Sequence, residues 1–416
     1  MKLKAYLLSG FFAKVGFTLT LFLVNMLIAR VMGAAGSGSF FFTINNLSVV
    51  VLLASLSLES GLSYHLSKKN ITEEGAANLS VAWSFGFSLL TAVAILFIPG
   101  ILSWESENNF WFAFMFIAGN LLIGFYSGLF YAKKEFVLPL LIPAITNLPV
   151  IFYLTWLLFN PSVNDGSTGL WIYFGSYLLG GIVMMGKFNS KYQVGFISQI
   201  SLRKVLKAII KYSFTAFAAN LIAFLVFRVD YWILEYYTRD SSFLLPQTIT
   251  GNALGNYIQV AKLVQLFLFA PAVIATVIFP LTASGDEASI PADIRKLLLR
   301  LTGINLLLIL VAACAGYWLF PFFYGEGFNL MYLCFLYLIP GVLAITCVRV
   351  LASYFAGLNK VSYNIIGGIL ALSLIIALNF LLIPRMGING AAIADSAGYA
   401  AYFFFLYHQF KKKNKA

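Results

Sequence analysis

Long apolar stretches alternate with short polar breaks along this chain, and the stretches number twelve: roughly 5–30, 40–64, 77–103, 110–131, 137–159, 169–186, 209–236, 253–283, 297–321, 329–357, 361–383 and 389–410. A hydrocarbon core of ~30 Å takes about 20 helical residues at ~1.5 Å each, so every stretch is predicted to cross a bilayer as a helix. The fold class expected is therefore an all-α polytopic membrane protein. The breaks differ sharply in charge. Arg30, Arg239 and Arg385 stand on one set of breaks and the stretch ends beside them, and Lys14, Arg228, Lys262 and Arg349 lie inside stretches. The other 20 of the 27 Lys and Arg occupy the N-terminus, the loops after stretches 2, 4, 6, 8 and 10 with the adjoining stretch ends at Lys211 and Arg300, and the C-terminal tail. The positive-inside rule then places both termini in the cytoplasm.

Composition agrees: 61% hydrophobic, 10% charged and a mean hydropathy of +0.89, against about 25% charged residues in a soluble domain. The net charge of +12 suggests nucleic acid until its distribution is considered. Basic residues at loop ends suit topology and anionic lipid headgroups, so no nucleic-acid partner is expected. The opening run after Met1-Lys2-Leu3-Lys4 continues to Ile28 without a small-x-small cleavage pattern and reads as an uncleaved first span. Cys314, Cys334 and Cys347 stand singly in apolar segments, which gives neither a metal site nor a disulfide framework.

The breaks opposite the basic ones are short, about 31–39, 104–109, 160–168, 237–252, 322–328 and 384–388. None is long enough to fold alone. Their acids, Glu105, Glu107, Asp165, Asp240 and Glu326, are scattered, and the two histidines, His65 and His408, have no nucleophile or metal partner at motif spacing. A membrane polymerase or ligase would show a sizeable catalytic loop, so the chain is not expected to be an enzyme. The longest basic-side connection, about 187–208, holds Lys187, Lys191, Arg203, Lys204 and Lys207 without an acid, and Phe196, Ile197, Ile200 and Leu202 give it an interfacial, amphipathic character. It divides the chain into a six-span lobe over 1–190, a linker over 191–208 and a second six-span lobe over 209–416. Even span numbers make the halves parallel repeats. Gly38-Ser39-Phe40 and Gly255-Asn256-Tyr257, each entering the second span of its half, echo one another.

A charge at mid-bilayer costs at least ~2.5–3.5 kcal/mol, so charges inside spans call for a partner or a watery cavity. Lys14 lies about 13 Å into span 1, with Thr18 and Asn25 on its face. Span 8 carries Asn252, Asn256, Gln259, Lys262 and Gln265 as one polar stripe, which either packs against polar neighbours or lines water. Arg228, Tyr231, Trp232 and Glu235 share a face of span 7, and Asp230 points about 200° away from Arg228. Thr346, Arg349 and Ser353 form a shorter stripe in span 10. Glu59 follows Ser55 by one turn in span 2, and Asp395 opens span 12 with Tyr399 and Tyr402 on its face. For Glu59 and Asp395 a structural ion pair is the competing reading. Pro139, Pro143, Pro149, Pro271, Pro280 and Pro340 invite kinks.

Several of these segments together resemble a family. Ile28-Ala29-Arg30-Val31-Met32-Gly33 followed by Gly38-Ser39-Phe40-Phe41 looks like the opening of Wzx-type polysaccharide-biosynthesis flippases. Asp230-Tyr231-Trp232, then Gly255-Asn256-Tyr257-Ile258-Gln259-Val260-Ala261-Lys262, then Ile278-Phe279-Pro280 are similar to that family's second half. The resemblance implies the multidrug/oligosaccharidyl-lipid/polysaccharide (MOP) exporter fold, with two six-helix lobes as in MATE transporters, in a bacterial inner membrane. It implies an undecaprenyl-diphosphate-linked oligosaccharide of O-antigen or lipopolysaccharide type, flipped to the periplasmic leaflet by alternating access, among membrane lipids. A polysaccharide polymerase and a chain-length regulator are the protein partners it would bring. Lys14, Arg228, Lys262 and Arg349, with Asn25, Asn256 and Gln259, are the expected substrate-binding residues, the cations offsetting the diphosphate charge. Asp230, Glu59 and Asp395 are the expected ion-coupling acids, for H⁺ or Na⁺, and no other cofactor or metal is called for. Twelve spans depart from the fourteen of the lipid II flippase branch. A drug or small-solute exporter of the same fold is the alternative.

Overall fold

The computed structural model describes residues 2–97, 107–160, 166–195, 202–239, 252–283 and 290–413, and among them no strand occurs. Phe196, Ile197 and Ile200 of the interfacial stretch, and the loop acids Glu105, Asp165 and Asp240, lie outside the described residues. Fifteen α-helices follow in order among those described: α1 Lys2–Ser55, α2 Leu58–Ser67, α3 Glu73–Leu96, α4 Asn109–Ala132, α5 Leu138–Thr146, α6 Leu148–Phe159, α7 Gly166–Tyr192, α8 Leu202–Val226, α9 Val229–Arg239, α10 Ala253–Phe267, α11 Phe269–Ala283, α12 Ile290–Tyr324, α13 Met331–Gly357, α14 Val361–Met386 and α15 Ile388–Lys413.

Nine helical runs among the described residues are long and apolar enough to cross a membrane, and the bent pair α10–α11 makes a tenth. The backbone supplies the rest. Helix α1 would be about 81 Å long if straight, far beyond one bilayer, but it breaks at Gly33, where φ is 68° and ψ 179°. A side chain resists that conformation and glycine does not. The helix therefore breaks on a single residue, and the expected loop over 31–39 is helical on both sides of it. Helix α15, with Asp395, His408 and three terminal lysines, is 26 residues long but more polar than these runs.

Breaks inside spans have identifiable causes. Pro271 lacks the N–H that would bond the Phe267 carbonyl four residues back. The pair α10–α11 bends there by 47°, and the Asn305 amide of α12 donates to that carbonyl at 3.0 Å and to Thr346 Oγ1 at 2.9 Å. Between α1 and α2, Leu56 and Ser57 adopt left-handed φ values of 45° and 52°, each strained for a side-chain-bearing residue. The Trp83 indole N–H donates to the Ala54 carbonyl at 2.8 Å, and Asn220 Nδ2 donates to Ser57 Oγ at 3.0 Å. Both bonds serve polar groups at the break, as a bilayer requires. Asn147 separates α5 from α6 between Pro143 and Pro149, with its amide on the Pro143 carbonyl at 2.7 Å.

The chain forms two compact units. The first comprises Met1–Val31 and Phe40–Asn220. Its centre is α4, packed on α3 and α7, with Phe112, Phe116, Phe125, Tyr126, Phe130, Phe174 and Phe188 buried. The second comprises Met32–Ser39 and Leu221–Ala416. Its centre is α13, packed on α11 and α15, with Phe335, Val342, Leu351 and Phe355 buried. Within this second unit the two echoing glycines meet. A Cβ on Gly38 would lie 2.8 Å from the Gly255 nitrogen, and one on Gly255 would lie 1.9 Å from the Ala34 carbonyl oxygen. Small residues allow such backbone approach in membranes, where close packing replaces the hydrophobic drive.

Candidate functional site

Inside the second unit, α9, α10 and α15 bring charged and phenolic groups together. The break after α8 starts α9 at Val229, so Asp230 falls in its first turn, 1% exposed. Tyr257, in the first turns of α10, is fully buried and donates its hydroxyl to Asp395 Oδ2 at 2.8 Å. Asp395 is 4% exposed, and its other oxygen has no hydrogen-bond partner; neither has either oxygen of Asp230. The two carboxylates are close enough to feel each other's charge, and Tyr257 adjoins both. Among the described residues neither acid is ion-paired within 4.0 Å. Two neighbouring acids in a dry interior are costly even with the Arg228 charge acting on Asp230, and a proton or a monovalent cation between them removes the repulsion.

The cations lie beside this pair. Arg228 Nη1 donates to Tyr231 Oη at 2.6 Å, with the guanidinium 5.0 Å from that ring's centre. Lys262, half-buried on α10, is near enough to Arg228 for the two to repel. Arg349 on α13 stands 5.2 Å from the Phe227 ring, which in turn meets Tyr399 at 5.5 Å. Of the stripe on α10, Asn252 and Gln265 are exposed, whereas Asn256 and Gln259 are fully buried. Asn256 Nδ2 donates to the Asn252 and Gly327 carbonyls, both at 2.9 Å, while neither amide atom of Gln259 has a hydrogen-bond partner.

The remaining expected residues belong to the first unit. Lys14 and Asn25 are half-buried on α1, three turns apart. Glu59 opens α2 beside the strained break, half-buried, and among the described residues no cation pairs with it within 4.0 Å. At the basic end of this unit, Lys133 pairs with Glu73, and Lys191 pairs with Glu135 at 2.6 Å. Burial works against the Glu135 charge, but the Lys191 ammonium and the Tyr192 hydroxyl outweigh it and hold the carboxyl below its ordinary value. Sequence reasoning missed Tyr257 as the link between the acids, and it missed Asn305 and Asn379. Asn379 is fully buried on α14 with both amide atoms unpartnered; an Asn deep in an apolar run was the available signal.

No protein-family model matches the sequence, and no curated protein matches it. Solved structures do. The lipid II flippase MurJ, in an inward-closed conformation, is similar with a TM-score of 0.73 at 15% identity, over 98% of this chain and 87% of that one. A mutant form of the Vibrio cholerae MATE transporter VcmN is similar with a TM-score of 0.69 at 15% identity, over 100% of this chain and 97% of that one. A MOP superfamily transporter from Pyrococcus furiosus, described as having a binding pocket of reverse polarity, gives a TM-score of 0.62 at 13% identity, over 98% and 95%. The fold is that of the MOP exporters. The apolar spans make the chain a multi-pass membrane protein of that architecture.

Proposed function

We propose that the chain is a flippase for an undecaprenyl-diphosphate-linked oligosaccharide, working by alternating access without covalent chemistry. The observation that carries this reading is the juxtaposition of Arg228 and Lys262 within membrane-spanning helices, two like charges near enough to repel. An anion carrying at least two charges relieves that repulsion, and a diphosphate supplies them. Lys14 and Arg349, with Asn25, Asn256 and Gln259, complete the proposed substrate contacts. The likeness to MurJ, a lipid II flippase, supports a lipid-linked cargo. Asp230 and Asp395 around Tyr257 are the proposed coupling pair, loading a proton or Na⁺, with Glu59 a third candidate. Both termini are proposed to be cytoplasmic in a bacterial inner membrane, and the lobes to run over 1–190 and 209–416.

Reconstituted vesicles test this directly. Lys262→Ala should abolish or sharply reduce translocation of a lipid-linked oligosaccharide while the protein remains folded and inserted. Lys262→Arg should keep more activity, since a cation is what the phosphate requires. Wild-type rates in Lys262→Ala would sink the charged-site mechanism. The second reading, an exporter of cationic solutes, is favoured by Asp230 and Asp395, neither of which is ion-paired within 4.0 Å among the described residues. It expects Lys262→Ala to be harmless and Asp395→Asn to stop transport.

A further inference from the structure

A second patch, in the first unit, is not used by that mechanism. Tyr64 of α2 stacks on Tyr212 of α8 with ring centres 4.5 Å apart and planes at 9°. Lys68, one turn beyond Tyr64, donates to the Tyr64 hydroxyl at 2.6 Å and lies 4.5 Å from that ring's centre. The contact between α2 and α8 is fixed below by Gly61, where a Cβ would lie 2.2 Å from Ser213 Oγ. One face of Tyr212 is covered by Tyr64, and the residue remains 44% exposed. Lys211 adjoins it, and Lys204 lies two turns before Lys211 on the same side of α8, about 12 Å from Tyr212 along the axis. Lys68, Lys204 and Lys211 are all exposed, and among the described residues no carboxylate approaches them within 4.0 Å.

Tyr and Lys at a span end are common interface anchors. Anchoring does not explain why Tyr212 is held by stacking with much of its ring still exposed, in a stretch where Lys68, Lys204 and Lys211 have no carboxylate within 4.0 Å. Lysines bind phosphate as point charges, and an open aromatic face receives the C–H face of a sugar ring. A phospholipid headgroup would use the first feature and leave the second idle. The geometry points to a docking site for a lipid-linked glycosyl diphosphate, with Lys68, Lys211 and Lys204 taking the diphosphate and Tyr212 taking the first sugar. The inference rests on the lipid-linked reading of the cargo and adds the place where it is first held.

Binding to the full chain in zwitterionic nanodiscs tests it, in a Lys262→Ala background so that the deeper cations contribute less. The probes are farnesyl-diphosphate-N-acetylglucosamine, farnesyl diphosphate and dioleoylphosphatidylglycerol. The glycosylated probe should bind about tenfold more tightly than farnesyl diphosphate. Tyr212→Leu should erase that preference, and Tyr212→Phe should retain it. Lys68→Gln with Lys211→Gln should weaken both diphosphates about tenfold. The docking site is overturned if no probe binds, if Tyr212→Leu keeps the sugar preference, or if phosphatidylglycerol competes as well as the glycosylated probe. If the probes bind as expected but the chain with Lys262 intact translocates no lipid-linked oligosaccharide in vesicles, the flippase reading is refuted and the docking site stands.

Discussion

The backbone approach between Ala34 and Gly255 in the second unit gives a sharp stability test. A Cβ on Gly255 would lie 1.9 Å from the Ala34 oxygen, 2.8 Å from its carbonyl carbon and 3.2 Å from its Cα. Carbon–oxygen contacts settle near ~3.3–3.6 Å, so the two segments must separate by about 1.4 Å. Both sides are backbone, and no side chain can rotate away. Overpacking of this kind costs about 1–3 kcal/mol, and Gly255→Ala belongs at the upper end. For a unit near 200 residues that corresponds to a fall in Tm of roughly 6–12 °C. Gly38→Ala, whose Cβ would stand 2.8 Å from the Gly255 nitrogen, should cost less, about 1–2 kcal/mol. The double variant should lose less than the sum, because one separation relieves both clashes. Gly124→Ala on α4, with nothing within 4 Å of its Cβ, is the control and should gain about 0.5–1 kcal/mol. Thermal unfolding in detergent, followed by a thiol-reactive dye at the buried Cys334 and Cys347, measures all four. If Gly255→Ala melts with the wild type, the packing of Gly38, Ala34 and Gly255 is not as described.

Trp83→Phe removes the donor to the Ala54 carbonyl at the strained break, and chemical unfolding should show a loss of about 1–2 kcal/mol. Asn305→Leu strands the Phe267 carbonyl freed by Pro271 and should cost about 1–3 kcal/mol in the same assay, with Asn305→Asp costing no less. Because the Glu135 carboxyl is held below its ordinary value by Lys191 and Tyr192, its contribution is present at neutral pH. It fades as pH drops from the ordinary value of 4.5 through the lowered folded one. Glu135→Gln should flatten that acid limb of a Tm–pH profile and leave the neutral-pH limb unchanged in shape. A reporter fused after residue 413 should be active in the cytoplasm, and periplasmic activity there would overturn the proposed orientation.

The sequence pattern carried the helices because a span is a local property, readable from apolar length alone. It also carried the break near Gly33, though as a loop: nothing local reveals that one residue's φ suffices while Ala34 to Ser39 stay helical. The polar stripe of α10 was visible, but its split was not. Asn256 is occupied by the Gly327 carbonyl, a partner 71 positions away, whereas Gln259 is left without one. Asp230 and Asp395 each stood out as an acid inside a span. Their shared neighbour Tyr257 did not, because a tyrosine in an apolar helix is ordinary and its partner Asp395 lies 138 positions on.

The segment Met32–Ser39, made with the first spans, is a structural part of the second unit. Its counterpart at Gly255 leaves the ribosome roughly 200 residues later, which at ~5–20 residues per second is a delay of about 10–40 s. Through that interval Ala34 and Gly38 sit in the bilayer without the backbone they are shaped to meet. The second unit thus cannot close its packing from the C-terminal half alone. A chain expressed as two pieces divided between α7 and α8 would leave that half short of one strip of its wall until the N-terminal piece arrived.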